Sequence, residues 1–211
     1  DIPHPPLEAL FTIDEETGMT GALGLKGGYL DGKIMLNLDT EDDHELTIGC
    51  AGGIDVTAEG TYEIENLASP HKAWKISLKG LAGGHSGMEI HLGKGNANKL
   101  MNRFLLEATK ELDIRIHSVD GGGLRNAIPR ESFSIITVAE ENEAALQDLI
   151  AKYSAIFQKE YATTDPDLQL TKESSEDVNT LLQKSIQLNL LRSIYACPNG
   201  IYRMSPDIED L

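Results

Sequence analysis

Over residues 73–79 apolar and polar side chains alternate, Ala73-Trp74-Lys75-Ile76-Ser77-Leu78-Lys79, which is the period of a strand that buries one face. The period then lengthens. Ala97, Leu100, Met101, Phe104, Leu105, Ala108 and Leu112 form one helical stripe over 96–112. Ile114 and Ile116 alternate in a following strand, Gly121-Gly122-Gly123 turns the chain, and 133–138 predicts another strand. A second helix is expected over 141–161, with Leu146, Leu149, Ile150, Tyr153 and Phe157 as its apolar stripe, broken at Asp165-Pro166. The chain returns as a strand over 168–171. This order, β-α-β-β-α-β, is the ferredoxin-like split unit of an α+β fold. A helix over 178–195 and a strand over 200–204 are expected to extend it.

Upstream, an apolar run over 7–13 reads as a strand and gives way to the carboxylates of Asp14, Glu15 and Glu16 just before Gly18. A second strand over 33–38 ends on Asp39. The intervening segment, with its Gly27-Gly28 turn, is long enough to be a crossover that brings both strand ends to one sheet edge. Gly49, Gly52 and Gly53 then read as a hinge, dividing 1–50, a partial α/β segment, from 51–211. Adjacent glutamates can divide labour, one oxygen binding a divalent ion and the neighbouring carboxylate taking a proton from water. The same acids also fit an ordinary solvated helix start.

Six segments carry a resemblance. They are Asp14-Glu15-Glu16-Thr17-Gly18-Met19-Thr20-Gly21-Ala22, Asn37-Leu38-Asp39-Thr40-Glu41, Gly49-Cys50-Ala51-Gly52-Gly53, Gly83-Gly84-His85-Ser86-Gly87, Gly93-Lys94-Gly95-Asn96-Ala97-Asn98-Lys99 and Leu124-Arg125-Asn126-Ala127-Ile128-Pro129-Arg130-Glu131. With these motifs in this order, the chain resembles the aminoacyl-histidine dipeptidases, the carnosinase-like branch of the di-zinc metallopeptidases. The resemblance implies a hydrolase of Xaa-His dipeptides that uses two zinc ions, with manganese or cobalt as alternatives. It assigns Glu15 as general base, Glu16 and Asp39 as metal ligands, and His85 as the donor that steadies the oxyanion. Asn126 is assigned to the substrate-binding lid, and Arg203 is a candidate for the substrate carboxylate, as are Arg125 and Arg130. Residues 51–211 are then the lid and dimerisation domain of a cytoplasmic homodimer, and 1–50 belong to the catalytic domain.

The family's site also needs a His-x-Asp pair, a bridging aspartate and a late histidine. None of His4, His44, His71, His85, His91 and His117 stands in such an arrangement. The expectation is therefore an internal fragment that does not hydrolyse peptides alone. Two other expectations are kept beside it: a non-catalytic dimerisation module, and a related di-zinc aminoacylase or tripeptidase.

Composition narrows the field further. Hydrophobic residues at 40% and charged residues at 25% are ordinary for a globular domain. A formal net charge of −16 argues against nucleic acid, because a phosphate backbone is repelled. No long apolar run predicts a membrane span and no leader is visible. Lys94, Asn96 and Lys99 lack the phosphate-loop spacing, and Ser86 lacks the nucleophile-elbow spacing. Cys50 and Cys197 are too far apart in sequence to suggest a framework and are expected to be reduced and buried.

Overall fold

A computed structural model describes residues 2–39, 44, 46, 49, 52–66, 71–176 and 178–207. The chain divides into two compact units, Asp1–Ile54 and Asp55–Leu211. Thr40, Glu41, Cys50 and Ala51 of the sequence motifs lie outside the described residues.

In the second unit the predicted split motif is present. Strand β1 (Ile64–Asn66) leads into β2 (His71–Lys79), the short β3 (Gly84–His85) and helix α2 (Ala97–Leu112); α1 (Thr20–Leu23) belongs to the first unit. Then come β4 (Arg115–Gly121), the short β5 (Ala127–Ile128), β6 (Ser132–Ala139), α3 (Glu143–Glu160), β7 (Gln169–Ser174), β8 (Thr180–Leu182) and α4 (Lys184–Ala196). The main sheet has the order β4-β6-β2-β7, and every neighbouring pair is antiparallel. Both helices of the motif connect strands that are not sheet neighbours, as a split βαβ requires. Trp74, Ile76 and Leu78 of β2 alternate into the core, where the predicted stripes of α2 and α3 meet them. Phe104, Tyr153 and Phe157 pack edge-to-face there, with ring centroids 6.0 and 5.5 Å apart.

Helix α2 starts where expected because the Asn96 side chain accepts the Lys99 N–H, satisfying one of the free donors of the first turn. Helix α4 starts later than expected. Residues 180–182 pair with β1 instead of opening a helix, so Leu181 and Leu182 are buried in strand geometry. Gln187 of α4 has no exposed surface and repairs a register shift between Ile116 and Ser118 in β4. Its Oε1 accepts the Ile116 N–H, and its Nε2 donates to Ile114 O and Thr109 Oγ1. Lys99 holds the far end of α4 by donating to the carbonyls of Ile194, Tyr195 and Cys197. Cys197 is exposed rather than buried, because it caps α4 where the chain leaves the helix. The strand expected over 200–204 does not form, since no strand lies alongside to pair with it among the described residues.

The first unit departs further from expectation. Neither 7–13 nor 33–38 is a strand, and Phe11 and Ile34 are 90% and 87% exposed. An apolar run becomes a strand only when a second one satisfies its N–H and C=O groups, and no such partner is present among the described residues. Local polar contacts set the backbone instead. The Glu8 carboxylate accepts the N–H groups of Asp31 and Gly32, tying the beginning of this unit to its middle. No helix among the described residues is long and apolar enough to cross a membrane.

Candidate active site: a carboxylate turn and a histidine loop

The candidate residues fall into two groups. In the first unit, Asp14 adopts a left-handed conformation with φ 63°. Its carboxylate accepts the hydroxyls of Thr17 and Thr20, and its carbonyl accepts the Gly18 N–H at 3.2 Å. Gly21 lets α1 fold back on this turn, because a Cβ there would sit 2.6 Å from Ile13 N. Asp14 is thus occupied in shaping the turn, and Glu15 and Glu16 lie on it, exposed. Asp39 is also exposed, and its N–H donates to Asn37 Oδ1 at 3.1 Å.

Glu16 and Asp39 carry the hard oxygen donors that a divalent ion accepts. They are nevertheless two side chains where a zinc centre needs about four ligands. Among the described residues no group of three or more His, Cys, Asp or Glu is placed to hold a metal ion. The residues described do not by themselves make a complete metal site.

In the second unit, His85 and Asn126 are brought together as neighbours. Strand β3 pairs with β5, placing His85 opposite Ala127, and Ser86 N–H donates to Asn126 O at 2.8 Å. The glycines before His85 are required by close approach. Gly83 has φ 65° and carries the stem of Arg130 against it, while a Cβ on Gly84 would meet Glu89 Oε2 at 2.6 Å.

The backbone also selects the tautomer of His85. Gly87 N–H and Met88 N–H both donate to Nδ1, at 3.1 and 3.0 Å. Nδ1 therefore presents a lone pair, and in the neutral ring the proton sits on Nε2. The exposed imidazole can thus offer an N–H to an external oxygen.

Glu89 supports the same loop. It accepts the His85 N–H at 2.7 Å and the Lys94 ammonium at 2.6 Å. Lys94, and after it the His85 amide, hold the Glu89 carboxyl below the usual glutamate range against the opposing effect of burial. A carboxyl lowered in the folded state stabilises above its unfolded value and loses that contribution as pH falls through the folded one. The His85 amide resonance is therefore expected to titrate below the usual glutamate range, and Glu89→Gln to abolish that titration. A wild-type amide that does not respond to acid would remove Glu89 from this role.

The arginines separate in the structure. Arg125 pairs with Asp55 at 2.6 Å, Arg130 packs on Gly83, and Arg203 is exposed. His117 is structural, with Nδ1 2.6 Å from Thr180 O. Glu89, which holds the His85 N–H, carried no signal in the sequence beyond its proximity to glycines.

Comparison with known proteins places these groups in context. Residues 76–165 match the family described as the peptidase dimerisation domain of M20 type. The chain is 44% identical over 206 residues to the cytosol non-specific dipeptidase of Escherichia coli (strain K12), covering 97% of this chain and 42% of that protein. It is similar to the crystal structure of aminoacylhistidine dipeptidase from Vibrio alginolyticus, with TM-score 0.70 and 37% identity, covering 94% of this chain and 40% of that one. The chain thus spans about two fifths of the length of the relatives it matches.

Proposed function

Because residues 76–165 match the M20 peptidase dimerisation domain and the chain is similar to dipeptidases, we propose that it is part of a cytoplasmic, metal-dependent dipeptidase acting on Xaa-His dipeptides. The observation that carries this reading is the His85 loop, a glycine-framed imidazole with its proton directed to the exposed Nε2. A hydrogen-bond donor held ready for the oxyanion of a tetrahedral intermediate lowers the barrier without reorganisation. In this reading residues 1–50 belong to the catalytic domain, and 51–211 form the lid through which two copies associate.

Two zinc ions, or manganese or cobalt in their place, would supply the electrostatic pull that makes bound water acidic near neutral pH. Glu16 and Asp39 would hold such an ion as two of its ligands, with the rest coming from outside this chain. Glu15 accepts the proton of the attacking water and returns it to the leaving amine. Asn126 donates to the substrate backbone or carboxylate, and Arg203, which is exposed, pairs with a terminal carboxylate. An aminoacylase or tripeptidase would use the same base and metals, so the substrate contacts of Asn126 and Arg203 are what separate these activities.

The deciding assay compares the 211-residue chain with the longer protein, titrating each with zinc and supplying an Xaa-His dipeptide. Stoichiometric metal and histidine release only in the longer protein are expected. Dimerisation of the longer protein without metal uptake or hydrolysis would favour the non-catalytic module.

A further inference from the structure

The geometry points to Asp165 as the positioning residue of the His85 loop, a role that rests on the dipeptidase reading for its effect on turnover. Asp165 lies beyond the end of α3 and is 1% exposed. Its own N–H donates to Tyr161 O at 2.8 Å and its carbonyl accepts the Leu168 N–H at 3.1 Å, so its backbone is fixed to the helix exit. The side chain bonds to other parts of the chain. Oδ1 accepts the Ala82 N–H at 2.8 Å, and Oδ2 accepts the Gly95 N–H at 2.8 Å together with the Thr164 hydroxyl at 2.7 Å.

Ala82 and Gly95 are the two ends of the segment that contains β3, His85, Glu89 and Lys94. One buried carboxylate therefore closes that segment into a loop, one oxygen at each end. Between those ends, Lys94 holds Glu89 and Glu89 holds the His85 N–H, so the position of the imidazole is referred back to Asp165 through backbone and carboxylate contacts. Each acceptor oxygen meets a backbone N–H, and among the described residues no ammonium or guanidinium is a hydrogen-bond partner of either. An asparagine would fill the same volume but turn an NH2 group toward one of the two amides, leaving a buried donor unpaired and freeing one end of the loop.

The test uses the longer protein with Asp165→Asn, His85→Ala and both together. If Asp165 acts through His85, Asp165→Asn lowers kcat by about a hundredfold with KM little changed, as misplacing a reacting group by about 1 Å can do. In the His85→Ala background it then costs no further activity, the non-additivity expected of residues acting as a unit. Losses that multiply in the double variant would overturn the proposal, as would a lower melting temperature with kcat per folded molecule intact.

Two readouts do not depend on turnover. The 15N shifts of the His85 ring are expected to show Nε2–H as the dominant tautomer in the wild type and a mixture in Asp165→Asn, and an unchanged ring signature overturns the proposal. Should Asp165→Asn fail to fold, native-state hydrogen exchange of the wild type decides: Ala82, His85 and Gly95 amides are expected to open together, and independent opening of His85 overturns the role. A wild type that hydrolyses no dipeptide would sink the functional reading while leaving these two readouts to judge the strut.

Discussion

Glu15→Gln in the longer protein is expected to lower dipeptide turnover by about a thousandfold while leaving its bound metal in place. The glutamine keeps the size of the side chain and one acceptor oxygen but cannot take up a proton, and positioned proton transfer contributes about 10²–10⁴ in rate. The structure makes this a clean substitution. Asp14, not Glu15, accepts the Thr17 and Thr20 hydroxyls that shape the turn, so the turn should survive. Asp39→Ala provides the contrast, since it removes a proposed ligand and is expected to lose metal and activity together. The measurement is kcat beside metal content for each variant. Near-normal turnover in Glu15→Gln would show that another group is the base.

The largest effect on stability is expected from Phe104→Ala. Phe104 has no exposed surface and lies on the face of α2 that meets the sheet and α3, with the Tyr153 ring edge-on to it. Truncation removes the transfer free energy of the ring and leaves a cavity that helices anchored at both ends cannot readily close. The cost should be about 3–5 kcal/mol, against total stabilities of about 5–15 kcal/mol for domains of ordinary size. Denaturant unfolding of the 211-residue chain reads it as a shift in midpoint at constant slope. A loss below about 1 kcal/mol would mean that the α2–α3 seam collapses around the gap.

The elements of the second unit were legible because each carries its own one-sided pattern. Alternation in Ala73–Lys79 and the stripe from Ala97 to Leu112 specify a face to bury whatever the partner, and β2 and α2 form within two residues of those limits. Residues 180–182 depart from the helix expected there because Leu181 and Leu182 suit either a helix stripe or a strand, and only the nearby edge of β1 decides between them. The runs over 7–13 and 33–38 failed as strands for the converse reason: their apolar character is real, but a strand is a property of two segments. Among site residues, His85 and Asn126 stood out beside glycine and proline, and β3 and β5 set them next to each other.

Sequence alone determined the periodicities, the split β-α-β-β-α-β order, the acidic balance and the glycine-framed position of His85, because these depend on covalent order and on each segment's own side chains. Tertiary structure decided the rest. Which nitrogen of His85 carries the proton depends on two backbone donors that the loop folds toward it, and the loop's closure depends on a carboxylate far away in sequence, Asp165, 83 residues from Ala82 and 70 from Gly95 but 2.8 Å from each in space. Hydrogen bonds of that kind act over a few ångströms and are directional. Only the folded chain brings their donors and acceptors within range.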